Sequence, residues 1–140
     1  MSKIIFVCHG SICRSPAAEM IFKMLSDEHQ VISKALTFEE IGNDIYPPMK
    51  RELDRRGIPY TRHYAEYLKP SDVECADYIF YMDVENRYML VRRYGELDKF
   101  QPIFRYTNSV TEIEDPWYTG NYKKVVDQIT TCIKDIIKNI

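Results

Sequence analysis

Thirteen residues near the N-terminus constrain the fold of this chain more than any other stretch: Ile4-Ile5-Phe6-Val7-Cys8-His9-Gly10-Ser11-Ile12-Cys13-Arg14-Ser15-Pro16. The apolar run at its start predicts a strand that is buried on both faces, as in a parallel sheet. Ser15 and Pro16 then predict the N-cap and the first position of a helix. A loop between such a strand and helix directs its backbone N–H groups and the positive end of the helix toward one point. The stretch therefore predicts a site for an oxyanion such as phosphate.

Cys8 and Arg14 flank that loop and give it a chemical character. A thiol beside a guanidinium and convergent amide dipoles loses its proton readily, so we expect the pKa of Cys8 to lie below the free value of about 8.5. Cys8 is then a thiolate at neutral pH. Arg14 can bind two phosphate oxygens with its planar fork. The alternative is a structural cysteine and a surface arginine, but the positions of Gly10 and of the helix start favour the functional interpretation.

Composition limits the class of protein. The chain has 140 residues, 45% of them hydrophobic, which is enough for one domain over residues 1–140. A formal net charge of −2 without basic runs argues against a nucleic acid partner. No leader pattern or long apolar span stands out, so we expect a cytoplasmic protein with no membrane partner. We also expect a monomer. The four cysteines have neither disulfide-framework nor zinc spacing, and we expect no metal or other cofactor.

Helix and strand patterns alternate along the rest of the chain. Amphipathic or capped segments predict helices at about residues 16–28, 49–56, 84–94 and from 121 onward. Apolar runs predict further strands at residues 31–36, 78–82 and 102–106, with irregular chain at 37–48 and 58–69. The alternation predicts an α/β fold, a three-layer sandwich with a central four-stranded parallel sheet, helices on both faces and the phosphate-binding loop after the first strand. Ligands of such sheets bind beyond the carboxyl ends of the strands, where Cys8 lies.

A second candidate segment, Glu112 to Gly120, lies between the last predicted strand and the last helix. A loop there opens at the same edge of the sheet, so one of its acids can approach Cys8. Asp115 is the best candidate, because Pro116 fixes its backbone and aromatic residues flank it. A carboxylic acid opposite a thiolate can protonate the leaving oxygen of a phosphate ester and then activate water. Without the Cys8 loop, the same segment would be an ordinary solvated turn.

Together, Cys8-His9-Gly10-Ser11-Ile12-Cys13-Arg14-Ser15-Pro16 and Asp115-Pro116-Trp117-Tyr118 resemble the low-molecular-weight protein tyrosine phosphatases over essentially the whole chain. The resemblance implies hydrolysis of phosphotyrosine in proteins, or of small aryl phosphates, through a cysteinyl-phosphate intermediate. It assigns Cys8 as the nucleophile, Arg14 as the phosphate clamp and Asp115 as the acid and then the base. The phosphate-binding residues it implies are His9, Gly10, Ser11, Ile12, Cys13, Arg14 and Ser15.

The same resemblance implies further roles. Cys13 matches a second loop cysteine that forms a reversible disulfide with the nucleophile, so we expect redox regulation. Trp117 and Tyr118 resemble rings that line a slot for a phenyl group, although one of them could instead be a core ring. Ile12 matches phosphotyrosine enzymes, whereas a threonine there is similar to the phosphoarginine branch.

The supporting web that the family builds around its loop is expected here at Ser15, Ser33 and His63. One departure stands out, because Ser11 replaces the family's usual Asn and serine adopts a left-handed backbone less readily.

Three alternatives remain open from the sequence. An arsenate reductase of the same fold needs two further cysteines to relay a disulfide, and Cys75 and Cys132 are the only ones left. A phosphoarginine phosphatase is the second alternative. The third is a module that binds phosphotyrosine without turnover, which would follow if Ser11 disrupts the loop.

Overall fold

The computed structural model describes residues 1–140, which form four strands and six helices. In chain order, these elements are β1 (Lys3–Cys8), α1 (Arg14–Leu25), β2 (Gln30–Ala35), α2 (Pro47–Arg55), α3 (Pro70–Cys75), β3 (Tyr78–Tyr81), α4 (Val84–Tyr94), β4 (Phe100–Pro102), α5 (Pro116–Thr119) and α6 (Tyr122–Asn139). None of the helices has the length and apolar content needed to cross a bilayer.

The four strands form one parallel sheet in the order β2-β1-β3-β4. β1 is an interior strand, and Ile5 pairs with Ile32 of β2 on one side and with Ile79 of β3 on the other. Because both edges and both faces of β1 are covered, an uninterrupted apolar run is what the position requires. The predicted four-stranded parallel sheet is confirmed.

Side chains of β1 alternate between two hydrophobic cores. Ile4 and Phe6 belong to the larger core, which includes residues of α1 and α6. Ile5 and Val7 belong to the smaller core, which includes Leu90 of α4. Helices therefore cover both faces of the sheet, and the predicted three-layer α/β fold is confirmed. This layering leaves the carboxyl ends of the strands free to carry loops.

The start of α1 differs from the prediction. The helix begins at Arg14 with Cys13 as its N-cap, so Ser15 is not the N-cap. Helical bonding starts earlier because the Ala17 N–H already donates to the Cys13 carbonyl at 3.2 Å. Ser15 is thereby turned inward, and its hydroxyl is used by the loop instead. The helix ends at Leu25, since Ser26 is extended.

Other predicted boundaries also differ from the observed ones. The last strand is Phe100–Pro102 instead of residues 102–106, and residues 103–106 form a turn. Two short helices, α3 and α5, were not predicted, and α2 begins at Pro47, two residues before the predicted start. α5 matters for the site because it starts directly after Asp115.

Candidate active site

The carboxyl end of β1 opens into a cavity of about 160 Å³. Its wall contains residues from the predicted loop, from the segment after β2 and from the segment before α6. The lining residues are Cys8, His9, Gly10, Ile12, Cys13, Arg14, Glu39, Glu40, Asp115, Trp117 and Tyr118. The fold thus brings Asp115 to the same cavity as Cys8 and Arg14, which lie about a hundred residues earlier in the sequence.

A chain of hydrogen bonds holds Cys8 from inside the loop. Cys8 Sγ lies 3.2 Å from Ser15 Oγ, and Ser15 Oγ donates to Ser11 Oγ at 2.9 Å. His63 Nε2 lies 2.6 Å from the Ser11 carbonyl oxygen, which can only accept, so the ring N–H donates. Ser11, Ser15 and His63 are all buried, so this web is protected from water.

Ser11 has φ 56°, which is in the left-handed region. A residue with a Cβ pays about 1 to 2 kcal/mol for this conformation. The His63 bond to its carbonyl and the Ser15 bond to its hydroxyl offset that cost. Serine at this position therefore keeps the turn of the loop.

Ser33 does not belong to this web, contrary to the prediction. Its hydroxyl donates to Glu19 Oε1 at 2.7 Å, and Glu19 also binds Lys23. A buried carboxylate is a stronger acceptor than a neutral hydroxyl, which explains the choice of partner. Ser33 instead ties β2 to α1.

Arg14 is the buried cation of the cavity, with an exposed fraction of 2%. Its Nη1 donates to Asp83 Oδ2 at 2.6 Å and to the Ile113 carbonyl at 2.9 Å, and its Nη2 lies 3.6 Å from Asp115 Oδ2. Burial alone would lower the pKa of Arg14, but the charges of Cys8 and Asp83 raise it overall. The guanidinium therefore stays charged and is held in one orientation.

Asp83 is a functional residue that sequence reasoning missed. It is the N-cap of α4, where its Oδ1 accepts from the Asn86 N–H at 2.8 Å, while its other oxygen binds Arg14. Asp83 could have been proposed as a partner of Arg14, because it follows β3 and β3 is the neighbour of β1. An acid at the carboxyl end of the adjacent strand is well placed to orient a cation in the first loop.

Asp115 is fixed by its position at the start of α5. Its Oδ1 accepts from the Trp117 N–H at 3.0 Å, which leaves Oδ2 directed toward Arg14. Trp117 and Tyr118 pack edge to face with ring centroids 5.0 Å apart and are 52% and 77% exposed. Neither ring is therefore a core residue, and both line the cavity.

The remaining cysteines differ in environment. Burial, reinforced by the charge of Cys8, raises the pKa of Cys13 well above its ordinary value, so Cys13 stays a thiol. Burial also raises the pKa of Cys132 to about 11. Cys75 is exposed, and neither Cys75 nor Cys132 lines the cavity. All four cysteines are unpaired, and no cluster of three or more His, Cys, Asp or Glu side chains is arranged to bind a metal ion.

Comparison with known proteins places this chain in a family. Residues 3–140 match the family model described as low molecular weight phosphotyrosine protein phosphatase. The low molecular weight protein-tyrosine-phosphatase YfkJ of Bacillus subtilis is 31% identical, over 100% of this chain and 96% of its own. The human low molecular weight phosphotyrosine protein phosphatase is 32% identical, over 96% of this chain and 93% of its own.

Solved structures agree with the sequence matches. The crystal structure of YfkJ superposes with a TM-score of 0.93 at 31% identity, covering 100% of this chain and 94% of that one. The YwlE arginine phosphatase of Geobacillus stearothermophilus superposes with a TM-score of 0.88 at 25% identity, covering 99% of this chain and 92% of that one. The resemblance drawn from the sequence is thereby confirmed, and this phosphatase belongs to the low molecular weight phosphotyrosine protein phosphatase family.

Proposed function

We propose that this protein hydrolyses phosphotyrosine in proteins, and small aryl phosphates, through a cysteinyl-phosphate intermediate. The single observation that supports the proposal most strongly is the meeting of a thiol, a buried guanidinium and a carboxyl in one cavity. Cys8, Arg14 and Asp115 all line it, and Arg14 Nη2 lies 3.6 Å from Asp115 Oδ2. A nucleophile, an anion clamp and a proton donor are the groups that phosphoryl transfer from an ester requires.

In the first step, the Cys8 thiolate attacks phosphorus and forms the sulfur–phosphorus bond. The bond from phosphorus to the tyrosine oxygen breaks, and protonated Asp115 gives its proton to that oxygen. Arg14 and the loop N–H groups stabilise the charge on the three transferring oxygens. The products are a dephosphorylated tyrosine side chain, a phosphorylated Cys8 and an ionised Asp115.

In the second step, water hydrolyses the phosphocysteine. Asp115 takes a proton from the water, whose oxygen attacks phosphorus, and the bond from phosphorus to Cys8 Sγ breaks. Inorganic phosphate leaves and the thiolate returns. The Ser15 hydroxyl lies 3.2 Å from Cys8 Sγ and donates to Ser11 Oγ in the resting loop. In this step it would rotate so that its one proton is donated to the departing sulfur.

The walls of the cavity support an aromatic substrate. Trp117 and Tyr118 present ring surface at the mouth, and Ile12 adds an apolar contact within it. A phenyl ring packs favourably on such side chains. The short side chain of phosphoserine would not carry its phosphorus past these walls to Cys8.

Cys13 supports reversible protection of the nucleophile. It lines the same cavity as Cys8, and its protonated state keeps it from competing for phosphate. A peroxide would transfer one oxygen to the Cys8 thiolate and give the sulfenic acid, with the other peroxide oxygen leaving as water or an alcohol. Attack of the Cys13 sulfur on Cys8 Sγ, with loss of the Cys13 proton and the sulfenic hydroxyl as water, would then form a disulfide that thiols can reduce. Four unpaired cysteines also suit a reducing compartment, and we propose that the protein acts in the cytoplasm as a monomer.

One observation favours a second candidate, phosphoarginine. The arginine phosphatase of Geobacillus stearothermophilus has a similar structure. A comparison of otherwise identical phosphotyrosine, phosphoarginine and phosphoserine peptides decides between them. We expect the highest kcat/KM for phosphotyrosine and negligible turnover of phosphoserine, and a preference for phosphoarginine would overturn the proposal. Absence of turnover of every peptide and of para-nitrophenyl phosphate would indicate a binding module.

A further inference from the structure

The segment after β2 forms part of the wall of the cavity that Trp117 and Tyr118 also line. It contributes two carboxylates, Glu39 and Glu40, which we call the acidic rim. The Glu39 side chain is 69% exposed, and its Oε2 lies 3.4 Å from His9 Nε2. The carboxylate of Glu39 therefore lies at the solvent side of the mouth, where residues next to a bound phosphotyrosine must pass.

Glu40 packs against the phosphate loop at Gly10. A Cβ added to Gly10 would lie 3.0 Å from Glu40 Cγ, so the glycine makes room for the glutamate stem. The Glu40 carboxylate accepts a hydrogen bond from Asn43 Nδ2 at 2.6 Å. Packing on one side and a hydrogen bond on the other restrict Glu40, so its charge cannot swing away from the cavity at low cost.

The positive and negative side chains of the cavity lie at different depths. Arg14 is its one permanent cation, and it is almost fully buried and paired with Asp83 and Asp115. His9 is the other basic lining residue and carries a charge only when protonated. The floor is therefore suited to a phosphate, whereas the mouth is negative.

We propose that Glu39 and Glu40 are specificity-determining residues that select phosphotyrosines flanked by lysine or arginine. This inference rests on the proposed function, since it names the class of phosphotyrosine site that the same cavity accepts. A cation beside the phosphotyrosine gains attraction from the acidic rim, and an acid in its place is repelled. A pair of unit charges a few ångströms apart at a wet surface changes affinity by about fivefold at low salt. The effect falls on KM, because these contacts exist before and during the reaction alike.

The test uses three peptides that differ only in the residues on either side of one phosphotyrosine, which are lysine, alanine or glutamate. At low ionic strength, we expect kcat/KM to fall from the lysine to the alanine to the glutamate peptide, with about tenfold or more between the extremes. In about 0.5 M salt the three values should converge, because screening removes exposed charge interactions. Equal values at low salt, or a preference for the glutamate peptide, would overturn the inference without any variant.

Two double variants assign the preference to the acidic rim. Glu39→Gln with Glu40→Gln should reduce the ratio of lysine to glutamate peptide toward one. Glu28→Gln with Glu74→Gln removes the same net charge at exposed positions outside the cavity and should leave the ratio unchanged. A ratio that both double variants lower equally would contradict the assignment. Failure of the proposed function is separate, since the wild-type protein would then prefer the phosphoarginine peptide or would hydrolyse neither the peptides nor para-nitrophenyl phosphate.

Discussion

The loop that holds Cys8 and the walls that surround it are built in opposite ways. In the loop, Ser11, Arg14 and Ser15 are buried, and each has a specific hydrogen-bond partner. In the walls, Trp117 and Tyr118 are more than half exposed. Catalysis benefits from groups that are already in place, because reorienting these groups then adds nothing to the activation free energy. Recognition of varied substrates tolerates exposed side chains. We therefore expect the loop to carry out the chemistry and the walls to select the substrate.

Substitution of the nucleophile tests this division most severely. Cys8→Ser replaces the sulfur that forms the covalent bond in the proposed mechanism with a hydroxyl that stays protonated, so kcat should fall by about 10⁴-fold or more. Phosphate should still bind in calorimetric titration, because Arg14 and the loop remain. Appreciable turnover by the variant would contradict a chemical role for the loop.

Loss of Asp115, the proposed proton donor, should have the next largest effect. Asp115→Asn should slow phosphotyrosine hydrolysis by about 10²- to 10³-fold, because the tyrosine oxygen then leaves unprotonated. Para-nitrophenyl phosphate, which has a better leaving group, should slow much less. Glu112→Gln, an exposed acid of the same segment, is the matched control and should change neither rate. Equal slowing of both substrates would indicate that Asp115 only supports the structure.

A change in the walls should separate binding from chemistry. Trp117→Ala removes ring surface at the mouth, so KM for a phosphotyrosine peptide should rise about tenfold with little change in kcat. Tyr88→Ala, which removes an exposed ring of α4 outside the cavity, serves as the control and should leave KM unchanged. A fall in kcat without a change in KM would mean that Trp117 contributes to the chemical step and not to substrate binding, against the division between loop and walls.

The smallest effect concerns the support beneath the loop. Asp44 Oδ1 accepts from the His63 backbone N–H at 2.9 Å, and Asp44 also pairs with Lys50. Burial alone would raise the pKa of Asp44, but these hydrogen bonds lower it overall. Asp44→Asn should therefore lower the free energy of unfolding by about 1 kcal/mol at pH 7.

The pH dependence of that loss has a definite sign. Because the native pKa of Asp44 is depressed, its contribution is complete above the unfolded pKa of about 4 and is lost as pH falls further toward the native value. Denaturant melts of both proteins should therefore converge in acid. Asp98→Asn, at an exposed aspartate whose side chain has no partner in the structure, should not change stability at either pH. A difference that persists unchanged in acid would exclude a charge effect at Asp44.

Local patterns were sufficient for the main features of the fold. β1 and β3 are buried apolar runs, α6 has a clear apolar face, and α4 ends just before Gly95, so each was predicted close to its observed bounds. The position of the site loop was equally predictable, because Cys8, Gly10 and Arg14 follow one another between a strand and a helix. These features are encoded by neighbours in sequence.

The missed features depend on contacts between distant segments. α3 buries only Val73, and six residues with one apolar contact leave no periodic pattern to detect. The partnership of Asp83 with Arg14 exists only because β3 lies beside β1. Ser33 was misassigned because its hydroxyl found Glu19, and the choice between two acceptors depends on side-chain geometry.

The central position of β1 also links folding quality to activity. Cys8 is the last residue of a strand whose register is fixed on both sides. A slip of one residue would carry it about 3.3 Å along the strand and turn its side chain to the opposite face of the sheet. Molecules that refold with β1 mispaired would thus be inactive even if they remained compact. Specific activity after refolding therefore reports the fraction of molecules in which β1 has regained its native register.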